Sequence, residues 1–215
     1  MKKMFWILPL LAVAAACNKS GGNNAAAAGN VPAPAPVTNV AADTGPAPAQ
    51  SNEQSALPAG LDCVRNRLSP EKRQGVAQAA MEQAHQEDPR AQALLQAVDA
   101  CGEELSWSQE KRRLAAMFSM SAAGAAGLRQ AFGGQGVQIQ ALDDVILSDR
   151  ALMMAAENNQ LDGDAGQSFA ARHRAELERV AAGRPLDGEL ATRMGNYIAF
   201  IALAQTISAR FANAS

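Results

Sequence analysis

PLDGELATRMGNYIAFIALAQTISARFA, residues 185–212, is the stretch whose reading decides the fold. Leu186, Leu190, Met194, Tyr197, Ile198 and Ile201 recur at helical spacing along one side. Phe200, Leu203, Ile207 and Phe211 form a second apolar face on the same helix. A helix apolar on two sides is either central in a bundle or supplies an interface. The uninterrupted apolar run, 197–204, is only eight residues long, too short to span a bilayer.

Working back along the chain, the same periodicity recurs. Ser69-Pro70-Glu71 opens a helix to about Gln86, with serine as cap and proline in the first turn. Asp88-Pro89 opens a second, carrying Ala91, Leu94, Leu95, Val98 and Cys101 at 3/4 spacing. Ser106 and Gln109 suit a capping box for a third, reaching about Phe132. Its stripe is Trp107, Leu114, Phe118, Ala122, Ala125 and Leu128, and the run Ala122–Gly127 is small enough for close approach by a neighbour. After the glycines at 133–136, helices are expected at about 141–158, at 167–182 and at 185–212. Composition agrees, because 48 of 215 residues are alanine, the best helix former, and only 4% are aromatic. The expectation is an all-α fold: a single bundle of about five or six helices over 61–215, behind a disordered N-terminal linker.

The N-terminus reads as an address. Lys2 and Lys3 precede a 13-residue uncharged stretch, Met4–Ala16. As a helix this spans about 20 Å, short of a bilayer core of about 30 Å. It has the form of a signal peptide over 1–16, with small residues Ala14, Ala15 and Ala16 at its end. Cys17 follows directly, and here the segment resembles the lipobox of bacterial lipoproteins, although Ala14 stands where leucine is most common. The resemblance covers only about residues 1–18. It implies that Cys17 becomes the lipidated mature N-terminus, and that Asn18, not being aspartate, directs the protein to the outer membrane, facing the periplasm. A plain secreted protein with an incidental Cys17 is the alternative. Residues 18–60 hold six of the ten prolines and no aromatic, with VPAPAPV at 31–37 and GPAP at 45–48. Such a segment lacks the apolar surface to offset ordering and reads as a semi-flexible spacer, about 35–40 Å end to end as a freely flexible chain and longer with proline stiffening.

In the oxidising compartment that this address implies, Cys63 and Cys101 are expected to form a disulfide, contributing roughly 4 kcal/mol in the entropic model. Two free buried thiols are the alternative. A metal site is disfavoured, since the pair lacks close spacing and only His85 and His173 are available to complete it.

Asp149 and His173 are the ionisable residues that interrupt otherwise apolar stripes. Facing each other they would make either a general-base arrangement or a buried pair that fixes helix register; they also need not meet at all. Gly166-Gln167-Ser168-Phe169-Ala170 approaches a nucleophile elbow but lacks both the final glycine and a preceding strand. Asp162-Gly163-Asp164 begins like a calcium loop, but Gly166 and His173 stand where its later oxygen ligands belong. The glycines at 133–136 lack the strand context of a phosphate cradle. Lys111-Arg112-Arg113 and Arg172-His173-Arg174 are short basic clusters in a segment of net charge -3, which argues against a nucleic-acid partner. No cofactor is implied. The functional expectation is a lipid-anchored envelope protein with a helical binding or structural domain and no enzymatic role. Its partners would be the membrane through the anchor, and another envelope protein or a second copy through the last helix. A carrier of an apolar small molecule beside the small-residue stretch, or an enzyme using Asp149 and His173, are the alternatives.

Overall fold

The computed structural model describes residues 58–186 and 188–214; the expected signal peptide, Cys17 and nearly all of the linker lie outside them. Those residues form nine helices and no strand: α1 (Leu61–Arg67), α2 (Pro70–Met81), α3 (Pro89–Glu104), α4 (Gln109–Gly133), α5 (Ile139–Ser148), α6 (Arg150–Glu157), α7 (Gly163–Arg172), α8 (Arg174–Val180) and α9 (Gly188–Asn213). The all-α architecture therefore holds.

α9 lies against α4 over the most extensive contact in the fold, and also packs on α6 and α5. The two run antiparallel, for Trp107 at the start of α4 meets Phe211, while Phe132 at its end meets Tyr197. Both apolar faces of α9 are thus used inside the domain, with Leu190, Met194, Tyr197, Phe200, Ile207 and Phe211 all buried. Of the two roles open to a two-faced helix, the central one is realised. Among the described residues, the large apolar side chains that remain exposed are Leu105, Leu147 and Met154, none of them on α9.

The small residues of α4 explain how the axis closes. A Cβ added at Gly124 would lie 2.6 Å from Cε2 of Phe200, so that ring rests directly on bare backbone. One turn on, Gly127 serves the other side, where a Cβ would meet Met81 Cε of α2 at 3.1 Å. At Gly124 the space left by the small-residue stretch is occupied by the Phe200 ring.

Two apolar clusters share this axis. One gathers Leu128 and Phe132 of α4, Leu142 and Ile146 of α5, Leu152 of α6, Phe169 of α7 and Tyr197 of α9. The other holds Leu61 and Val64 of α1, Leu94 and Cys101 of α3, Leu114 of α4, and Phe211.

The six expected helices differ from the nine observed in specific ways. The expected helices at 141–158 and 167–182 are each cut in two, at Asp149 and at His173 respectively. α1 was not expected; its seven residues carry too short a pattern to register. α7 begins at Gly163, because the Asp162 carboxylate accepts from Ala165 N and caps it four residues before the expected start. Ser69 and Asp88 cap α2 and α3 as read. The Ser106–Gln109 capping box does not form: Ser108 caps α4 by accepting from Lys111 N at 3.2 Å. Ser106 instead adopts φ 53° in the turn that closes α3. Gln83, Asn159 and Ala182 do the same after α2, α6 and α8, with φ of 53°, 55° and 54°. Each accompanies the paired backbone bonds that end a helix in a left-handed cap, such as Ala182 N to Arg179 O and Gly183 N to Glu178 O.

Candidate functional site

Asp149 stands between α5 and α6 with φ -81° and ψ 96°, an extended residue that ends one helix and caps the next. Its Oδ1 accepts from Leu152 N at 2.7 Å. Asp favours such a position because its short carboxylate competes for nearby backbone N–H groups and suits a helix start. His173 plays the matching part between α7 and α8, closing the first and preceding the second. The two residues that broke the apolar periodicity are therefore the two points where the helices break.

They also meet. His173 Nε2 lies 2.7 Å from Asp149 Oδ2. Arg172 adds a fork, with Nε on Oδ2 at 3.0 Å and Nη2 on both oxygens, at 3.1 and 2.9 Å. The Asp149 side chain is only 4% exposed, against 24% for His173 and 42% for Arg172. Burial pushes the carboxyl of Asp149 up; the Leu152 N–H, Arg172 and His173 outweigh it and hold the group below the usual aspartate range. The Phe169 ring packs against the imidazole with centroids 4.8 Å apart.

Chemically, this carboxylate is committed. Both its oxygens are occupied by fixed donors, so it orients the imidazole and ties the start of α6 to the α7–α8 junction. A small surface hollow lies nearby, lined by Leu152, Leu161, Asp162, Gly166, Gly195, Ile198 and Ala199. Neither Asp149 nor His173 is in that lining, and the space, about 10 Å³, has room for no more than about one water molecule.

A second buried polar cluster was not anticipated. The Tyr197 hydroxyl donates to Asp143 Oδ1 at 2.7 Å. Arg129 Nη2 donates to Asp143 Oδ2 at 2.6 Å and to the Tyr197 oxygen at 3.0 Å. Burial raises the Tyr197 hydroxyl, and the Asp143 acceptor raises it further, against a smaller opposing pull from Arg129. The available signal was a lone tyrosine on a buried helical stripe, whose hydroxyl must find a partner. Asp143 gave no warning, because its neighbours Leu142 and Ile146 carry the apolar period without it.

Cys63 and Cys101 are joined by a disulfide that links α1 to α3. Ser168 is an exposed residue within α7, on no strand-to-helix turn. Asp162 caps α7 and Asp164 lies in its first turn, and among the described residues no cluster of three His, Cys, Asp or Glu side chains suits a metal. Of the basic clusters, Arg113 pairs with Glu110, Arg112 approaches Asp99 at 3.8 Å, and Lys111 donates to Ala214 O. Among the described residues no helix is long and apolar enough to cross a membrane. Compared with models of protein families, with characterised proteins and with solved structures, the chain matches none.

Proposed function

We propose that this chain is a lipid-anchored cell-envelope protein whose helical domain faces the periplasm and serves a binding or structural role. The observation that carries the proposal is the N-terminal sequence itself: a short charged start, a 13-residue apolar stretch, and a cysteine directly after three alanines. One lipid chain anchors only marginally, so a multiply acylated cysteine is what a firm attachment requires. The disulfide between Cys63 and Cys101 is in keeping with an oxidising compartment.

The geometry supports a role without chemistry at the Asp149–His173 pair. Its carboxylate is saturated by Leu152, Arg172 and His173, and the neighbouring hollow does not include it. The two faces of α9 are taken up by α4, α5 and α6, so a partner surface would lie elsewhere on the domain. Fractionation of cells producing the full chain tests the anchor. Wild type is expected in the membrane fraction, released by detergent alone, and Cys17→Ser in the soluble fraction. Wild type released by a salt wash would refute the proposal.

A further inference from the structure

The geometry points to α1 as a redox-controlled latch: the Cys63–Cys101 bond holds this short helix on the domain, and reduction by a dithiol frees it while the rest stays folded.

Besides the bond, α1 is held by three buried apolar side chains and by Arg73 of α2, whose Nη1 donates to the carbonyls of Arg65 and Leu68 at 3.4 and 3.0 Å; the bond adds the one covalent tie between α1 and α3. Seven residues are below the length at which a helix is stable alone. Gly60, at its N-cap, offers no side-chain hydrogen bond. Leu61 and Val64, with Leu68 just beyond, are its buried apolar side chains, all in the cluster that also holds Trp107 and Phe211. Its charged contacts, Arg65 with Asp62 and Arg67 with Glu104, sit on exposed side chains, where ion pairs contribute little.

α2 has its own start, with the Ser69 hydroxyl accepting from Lys72 N and Pro70 in the first turn, so it does not need α1 to persist. Leu68, between them, is extended with ψ 124°, so the helical path is broken there and α1 and α2 are separate helices. The α4–α9 contact around Phe200 and Tyr197 involves no residue of α1. Cys101 is fully buried and Cys63 only partly so, which makes Cys63 the side from which the bond is reached.

The chemistry balances with a dithiol as co-reactant. One of its thiolates attacks a sulfur of the bond, and its second thiol resolves the mixed disulfide. The reductant leaves as a disulfide, two hydrogens lighter, while Cys63 and Cys101 each gain one hydrogen. Uncoiling the seven residues of α1 from about 1.5 to about 3.4 Å per residue adds roughly 13 Å of reach to the chain entering the domain. It also uncovers the α3 face around Leu94, Val98 and Cys101. This inference rests on the proposed envelope location only for its setting.

Amide hydrogen exchange on the purified full chain, oxidised and after dithiothreitol, is the test. Amides of 61–68 are expected to exchange at least tenfold faster after reduction, with 190–202 in α9 unchanged. Unaltered exchange at 61–68, or protection lost throughout the domain together, would overturn the inference. So would free thiols at Cys63 and Cys101 before any reductant is added. Should the bond resist the reagent, Cys63→Ala with Cys101→Ala gives the same readout. None of these results depends on whether Cys17 carries lipid, so a failed latch and a failed anchor are told apart.

Discussion

Replacing Asp149 by alanine removes three things at once, and their sizes can be worked separately. Loss of the helix cap on Leu152 N costs about 1 kcal/mol. The His173 contact is a hydrogen bond to a charged group at a side chain 24% exposed, and contributes about 1.5 kcal/mol. Arg172 is 42% exposed, so its fork is screened by solvent and is held to about 0.5 kcal/mol. The sum is about 3 kcal/mol, which for a domain of this size lowers Tm by roughly 6–12 °C. Asp149→Asn retains an oxygen for the cap and is expected to lose about half as much. Urea unfolding followed by circular dichroism measures both variants. A double-mutant cycle with His173→Ala then isolates the pair, with a coupling energy of about 1 kcal/mol expected. An Asp149→Ala loss no larger than that of a cap alone, with coupling indistinguishable from zero, would refute the register-fixing role.

Three further outcomes follow from the same structure. Because the folded carboxyl of Asp149 lies below its unfolded value, its stabilisation is fully present above about pH 4 and disappears as pH falls through the lower folded value. The stability gap between wild type and Asp149→Asn is therefore expected to shrink as pH falls below about 4, as followed by urea midpoints. Gly124→Ala should destabilise by about 1–2 kcal/mol despite alanine's better helix propensity, since its Cβ would stand 2.6 Å from the buried Phe200 ring. Adding Phe200→Leu should recover part of that loss, and thermal melts of the single and double variants check both. Ala182→Gly should stabilise by about 1 kcal/mol, because alanine at φ 54° bears the left-handed penalty that glycine escapes; a lowered urea midpoint would contradict this.

The features legible in the sequence were those with a local physical cause. Pro70 after Ser69 and Pro89 after Asp88 mark helix starts because capping and fixed φ act within one turn. The double face of 185–212 left two roles open, a central helix or one that supplies an interface, and the packing on α4, α5 and α6 realises the first. What escaped depends on choices between near-equal local options. Ser106 and Ser108 are both competent caps, and the backbone turn closing α3 decided for the second. Asp149 was noticed for its polarity within an apolar stripe, yet the same polarity ends α5 and starts α6 there, which periodicity across the break conceals. The Arg129–Asp143–Tyr197 cluster joins residues from three helices, with Tyr197 lying 54 residues beyond Asp143, so no local pattern announces it. Left-handed caps at Gln83, Ser106 and Ala182 are hidden because none is the glycine that usually marks them.

The central claim is that the thiol at position 17 carries lipid. Cells producing the full chain, fed an alkyne-bearing fatty acid and analysed by in-gel fluorescence after click coupling, test it directly. The account predicts a labelled band for wild type and none for Cys17→Ser at equal protein level; an unlabelled wild type, or a variant labelled as strongly, would contradict it.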